Sequence, residues 1–364
     1  MRYLTLCLIF LGISTEIFAS FTDSEDTPLG YDTLKNKASR HHENKSKLTF
    51  DDHRRMSKNE LDNLGGASFS FAGGGYLPLI YNLGVCKWLQ EKGPEHGINL
   101  KGAAFTGDSA GAIISLGAAL NVPVNYIIDE TILSFCEEIL SKPDVNKKDI
   151  LAKHLYSMIK CYGNGKFKNR NKEITEIKNH PIFISVVRCY WENKNIKIPL
   201  LSFKVPWLSF KSELVGAWEN NQDLVESVVA SAYVPWVMGD TFSIPWRDGY
   251  YIDGGFLNHC PRLNQNTCRI YPSLWHNFLF WWKNGVFSPP TKEDIARIVK
   301  IGYSDAEKHA DYFTEKFKDF DDPQHDPYDL YVKLNVLMTV IPLFGHWGWE
   351  AVKKRTSKIF SWLG

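Results

Sequence analysis

The feature that most constrains this chain is the stretch Gly102-Ala103-Ala104-Phe105-Thr106-Gly107-Asp108-Ser109-Ala110-Gly111, which continues as Ala112-Ile113-Ile114-Ser115-Leu116-Gly117. Small and apolar residues lead into a Gly-x-Ser-x-Gly pentapeptide and an Ala/Ile/Leu run leads out of it, a pattern that predicts strand, sharp turn and buried helix. A serine on such a turn needs neighbours without Cβ atoms, because strand and helix backbones pass close on both sides; Gly107 and Gly111 meet that need. Ser109 then falls at a helix N-terminus, where unpaired N–H groups and the macrodipole favour developing negative charge. The pentapeptide alone is a modest signal, since a chain of 364 residues carries one by chance roughly one time in ten. Its flanks raise it to a nucleophile elbow.

Upstream, the alternating Phe69 and Phe71 within residues 67–72 predict a strand that runs directly into Gly73-Gly74-Gly75. Leu79, Ile80, Leu83, Val85, Trp88 and Leu89 then recur at helical spacing until Gly93-Pro94. Strand, glycine turn, helix, strand, elbow and helix in this order specify an α/β arrangement with a parallel sheet. The triple glycine is followed by neither phosphate-loop pattern, Gly-x-Gly-x-x-Gly or Gly-x4-Gly-Lys-Ser/Thr. It serves better as an oxyanion hole, with backbone N–H groups converging on a reacting carbonyl oxygen; the plain alternative is a tight βα turn. Further on, helices are expected near 124–140, 147–160 and 222–230, and strands at 182–190 and 198–203. Asp253 closes the apolar strand Tyr250-Tyr251-Ile252 and opens the turn Gly254-Gly255, which presents a carboxylate at a sheet edge. Taken alone, an Asp-Gly pair is more often an ordinary hairpin turn.

The balance of 42 Lys+Arg against 41 Asp+Glu gives a net charge of +1, so no bulk charge steers the chain toward nucleic acid. Met1-Arg2 and the apolar run that follows, with Ile17-Phe18-Ala19 as a cleavage site, predict a signal peptide over residues 1–19 and an extracytoplasmic or secreted protein. Residues 20–66 read as a polar, disordered leader, residues 67–272 as the catalytic domain and residues 273–364 as an aromatic-rich, helical extension. Six cysteines lie beyond the signal segment, Cys86, Cys136, Cys161, Cys189, Cys260 and Cys268. In an oxidising compartment they could pair; buried free thiols are an equal alternative. No His-x-x-x-His, Cys-x-x-Cys or EF-hand spacing is present, so neither metal nor cofactor is expected.

In combination, four ordered blocks resemble the patatin-like lipid acyl hydrolases: Gly73–Gly75 after a first strand, Gly107-Asp108-Ser109-Ala110-Gly111, Ala230-Ser231-Ala232 with Pro235, and Ile252-Asp253-Gly254-Gly255 with Pro261 beyond. The resemblance implies a three-layer α/β/α sandwich with a mainly parallel central sheet. It also implies a Ser-Asp dyad of Ser109 and Asp253, and a glycerolipid or phospholipid substrate met at a membrane or lipid-droplet surface in lipid degradation. Two departures stand out. The family loop usually continues with Arg or Lys and another Gly, where this chain has Tyr76-Leu77-Pro78, and the pentapeptide usually has Thr, Ser or Ala at the position of Asp108. An aspartate at its ordinary pKa of about 3.9 is a poor base, so the dyad needs help from the helix N-terminus and the glycine loop.

Two other readings compete. An α/β-hydrolase esterase with a Ser-His-Asp triad would draw its base from His259, His276, His309, His325 or His346. Against it, Ala72 rather than a histidine precedes the triple glycine. The other is a non-catalytic lipid-binding protein on the same fold. For membrane contact the candidates are Trp275-His276-Asn277-Phe278-Leu279-Phe280-Trp281-Trp282 and a C-terminal helix with Trp349, Val352, Ile359, Phe360 and Leu363 beside Lys353, Lys354, Arg355 and Lys358. The commoner role for such aromatics is to cover the core.

Overall fold

A computed structural model describes residues 67–314, apart from 101, 143–144, 163–181, 199–200, 217, 236, 265, 272–273 and 277–288. The signal segment, the leader and the C-terminal candidate helix lie outside the described residues. The chain runs β1 (Ser68–Phe71), α1 (Tyr76–Glu91), β2 (Ala104–Asp108) and α2 (Ala110–Ala119). A helical run follows, made of Val124–Tyr126, a π-helical segment Ile127–Leu133 and α3 (Ser134–Ser141). Then come α4 (Lys147–Tyr162), β3 (Ile182–Ile198), β4 (Leu201–Val215), α5 (Asn221–Ser231), β5 (Ile244–Trp246), β6 (Gly249–Asp253), β7 (Thr267–Ile270) and α6 (Lys292–Lys308).

These elements form an α/β fold with a central seven-stranded sheet, in the order β5-β6-β3-β2-β1-β7 with β4 also on β3, flanked by helices. The parallel character expected from the strand-helix alternation belongs to the run β7-β1-β2-β3. The β3–β4, β3–β6 and β5–β6 pairings are antiparallel. β4 accompanies β3 from Ile184 to Ile198, so β2 and β6 share the other edge of β3. β2 ends with Asp108 opposite Ser185, and β6, running the other way, ends with Asp253 opposite Val186. The carboxyl ends of the two strands therefore meet tip to tip.

Alternation along the strands divides the apolar residues between the two faces. Ile182, Ile184 and Val186 of β3 join Phe69, Phe71 and Phe105 in the main core, together with Trp88 of α1, Ile114 of α2, Leu155 of α4 and Val228 of α5. Each such buried side chain contributes about 1.5–3 kcal/mol. The intervening Phe183, Val187 and Cys189 fall into two smaller clusters. α6 is capped by the Thr291 hydroxyl, which accepts the Asp294 N–H at 3.1 Å, and it buries Ile295, Ile298, Gly302 and Ala306. It lies against α1 so closely that a Cβ on Gly84 would stand 2.2 Å from the Val299 carbonyl oxygen.

Trp275 stacks on His309 with ring centroids 5.1 Å apart and meets Tyr312 and Phe313 edge-on. This residue of the aromatic run therefore covers the core, while residues 277–282 lie outside the described residues. All six cysteines beyond the leader are free thiols, buried except Cys161. No helix among the described residues is long and apolar enough to cross a membrane.

Candidate active site

The turn between β2 and α2 holds Ser109 at φ 51°, a conformation that L residues rarely adopt. It survives because its surroundings fix it. The Ser109 N–H donates to Ser231 Oγ at 2.8 Å, and that hydroxyl donates to the Ser185 carbonyl at 2.6 Å. The turn also needs its flanking glycines: a Cβ on Gly107 would stand 2.4 Å from the Gly111 backbone, and one on Gly111 only 1.9 Å from the Phe71 carbonyl oxygen. Ser109 is left 8% exposed at the head of α2.

Asp253 arrives from the end of β6. Its backbone N–H donates to the Tyr233 carbonyl at 2.9 Å, and its Oδ1 accepts the Gly255 N–H at 2.8 Å. Gly254 is pressed against β3, where a Cβ would stand 2.0 Å from the Ser185 carbonyl oxygen. The second oxygen, Oδ2, is buried and meets no donor at hydrogen-bond geometry. The Ser109 hydroxyl nevertheless lies close enough to favour the charged carboxylate. Burial dominates and pushes this carboxyl up to about 7; the nearby Asp108 adds to the rise, and Ser109, the Gly255 N–H and His259 oppose it. The poor base of the sequence reading is thus one poised near neutrality, approached by the hydroxyl it would deprotonate.

The glycine loop lies directly on the elbow. A Cβ on Gly73 would stand 2.5 Å from Asp108 Oδ2 and 2.6 Å from Ser109 Cβ. Asn82 of α1 steadies the approach by donating to the Ala72 carbonyl at 3.1 Å. Gly74 and Gly75 follow at φ 114° and 85°, and Gly75 caps α1. The three glycines do not play equal parts. Gly73 gives its N–H to Asp108 Oδ2 at 3.1 Å, so it anchors the loop, and in this arrangement its N–H is not offered to an oxyanion. The reason is the residue that departs from the family pattern: Asp108, fully buried, supplies two carboxylate oxygens that accept from Gly73 and Cys260 at once, where Thr or Ser has a single hydroxyl and Ala no acceptor.

The same carboxylate accepts the Cys260 N–H through Oδ1 at 2.8 Å and faces His259 Nδ1 at 3.2 Å. His276 Nε2 faces Asp305, 2.5 Å away. Both histidines thus have carboxylate partners other than Asp253. Among the described residues no group of His, Cys, Asp and Glu could hold a metal ion.

A family profile described as patatin-like phospholipase matches residues 69–263, more than half of the chain. The chain belongs to the patatin-like phospholipase family. The crystal structure of VipD from Legionella pneumophila is similar at 14% identity, covering 75% of this chain and 74% of that chain with a TM-score of 0.36. Among curated proteins no match is found.

Within this patatin-like phospholipase domain, the sequence brings out Ser109, Asp253 and the glycines, gives no role to Ser231 or Asp108, and offers His259 only as one of five candidate bases of the competing triad. Ser231 does lie in one of the four ordered blocks, as a small polar residue between two alanines, and that was its only signal. Asp108 was visible as an anomaly in the pentapeptide. The pairing of His259 with Asp108 had no local signal, because the two lie 151 positions apart.

Proposed function

We propose that this patatin-like phospholipase is a serine lipid acyl hydrolase working through a Ser109–Asp253 dyad. The observation that carries the reading is Ser109, held at a strained backbone φ of 51°, with its hydroxyl close enough to favour the charged form of a buried Asp253 carboxyl raised to about 7. Asp253 takes the proton as Ser109 Oγ attacks the ester carbonyl of a glycerolipid, and the tetrahedral oxyanion is received by backbone N–H groups of the glycine loop and the start of α2. Collapse expels the alcohol, which leaves with the proton from Asp253, and forms an acyl-Ser109 ester. Water, deprotonated by Asp253, then attacks that ester, releasing the fatty acid and restoring both residues. Family membership supports a lipid substrate. The N-terminal apolar segment supports a secretory route, which N-terminal sequencing of the native protein tests.

The test of the dyad is covalent. A fluorophosphonate probe should label the full chain at Ser109 and leave Ser109→Ala unlabelled. Hydrolysis of a p-nitrophenyl acyl ester should be lost in both Ser109→Ala and Asp253→Asn. Hydrolysis retained in Asp253→Asn would remove the dyad.

A further inference from the structure

The residue that sets this elbow apart from its family is the one that fastens it. Asp108 is a fully buried carboxylate with three partners from two distant segments: the Gly73 N–H at 3.1 Å, the Cys260 N–H at 2.8 Å and His259 Nδ1 at 3.2 Å. A carboxylate out of water survives only when its oxygens are satisfied. The segment that satisfies it is itself braced. Cys260 holds a left-handed φ of 52°, and Arg269 of β7 donates to the Cys260 and His259 carbonyls at 2.9 and 3.4 Å. The His259 side chain is 8% exposed. The two carboxylates also converge at Gly255: the point where its Cβ would lie is 2.7 Å from Asp108 Oδ2 and 3.1 Å from Asp253 Oδ1.

We propose that Asp108 and His259 form a positioning pair, which clamps the glycine loop and the turn at residue 259 onto the elbow and presents opposite charges to Asp253. The pair rests on the hydrolase reading above. Its first effect is mechanical. With the Gly73 N–H pinned to the elbow, Gly74 and Gly75 are carried to a fixed place beside Ser109, a precision that flexible glycines do not supply for themselves. Its second effect is electrostatic. The titratable groups that act on Asp253 are Asp108 from the elbow, which raises its proton affinity, and His259 from the turn after β6, which lowers it when the imidazole is protonated. Cys260 stands behind them and interacts with both Arg269 and Asp108. Neutralising either member should therefore move the titration of the base in opposite directions.

The experiment measures kcat and KM from pH 5 to 9, with fluorophosphonate labelling rates over the same range, for the full chain, Asp108→Asn and His259→Gln. Asp108→Asn should lower kcat by about 10- to 100-fold with KM changed less than about threefold, as for a displaced oxyanion donor. Its acidic limb should move to lower pH. In His259→Gln the limb should move to higher pH, with a smaller fall in kcat. Limbs that stay in place or move together, or a loss confined to KM, overturn the pair. Should Asp108→Asn fail to fold, the direction of the His259→Gln limb decides alone. A wild-type chain that neither labels nor turns over instead removes the hydrolase reading, and the pair with it; an active wild type with unmoved limbs removes the pair only.

Discussion

Ser231→Ala removes one oxygen from a fully buried side chain, yet it breaks two hydrogen bonds at the point where the elbow meets β3. The Ser109 N–H and the Ser185 carbonyl both lose their partner, and alanine leaves no room for water to take its place. Each orphaned buried backbone group costs about 1–3 kcal/mol, so the variant should lose roughly 2–6 kcal/mol. For a domain of this size that is a fall in Tm of roughly 4–24 °C. Activity should fall as well. The positive φ of Ser109 stores about 1–3 kcal/mol, which the freed N–H allows to relax, drawing Oγ away from Asp253. That energy corresponds to a rate loss of roughly 5- to 150-fold. Thermal unfolding and the rate of fluorophosphonate labelling, measured together, read both effects. A variant with wild-type Tm and labelling rate would show that the elbow holds its conformation without Ser231.

Asp223→Ala should cost about 3–5 kcal/mol, read as a lower urea midpoint, because it strands a buried Arg247 that now bonds Asp223 Oδ1 through Nε at 2.8 Å and Oδ2 through Nη2 at 2.5 Å. Asp253→Asn should abolish turnover yet stabilise the fold at alkaline pH. The folded-state pKa is raised from 3.8 to about 7, so the stability Asp253 contributes is full below pH 4 and is lost as pH rises through 7. Asparagine escapes that loss, and denaturation at pH 8 should show a gain of roughly 2–4 kcal/mol that is absent at pH 4. Of the six cysteines beyond the leader, a thiol reagent on the native chain should modify Cys161 first. Cys86, Cys136 and Cys189, whose thiols burial pushes up to about 12, should react only after unfolding, as peptide mass mapping would read.

The parts of the fold that were legible are those whose cause is local. The β1-α1-β2-α2 unit announces itself because a glycine turn, a 3.6-residue apolar period and an elbow each need particular residues within a few positions. Helix α5 and the strand ending at Asp253 follow the same logic. The hairpin of β3 and β4 does not. The expected strands stop at residue 190 and at residue 203, because the polar Glu192-Asn193-Lys194-Asn195 and the alternating Ser209, Lys211 and Glu213 carry no continuous apolar run, whereas in the sheet these positions pair strand to strand. β7 spans only Thr267–Ile270, too short to show a period, and it forms because β1 offers it an edge. In the site, Ser109, Asp253 and the glycines were visible as turn chemistry. The groups that hold them, Ser231, Asp108 and His259, act through hydrogen bonds between segments 35 to 151 residues apart, which no local pattern encodes.

The tip-to-tip meeting of β2 and β6 makes β3 a ruler for the proposed dyad. Consecutive residues, Ser185 and Val186, measure off the ends of the strands that carry Ser109 and Asp253. An insertion or deletion between Ile182 and Cys189 would shift one strand end against the other by about 3.3 Å and turn every later side chain to the opposite face. From Tyr190 onward β3 pairs only with β4. Length changes there would alter how far the hairpin reaches while leaving the spacing of serine and aspartate untouched. Among descendants of this chain, residues 182–189 should keep their length and residues 191–208 should be free to vary in theirs.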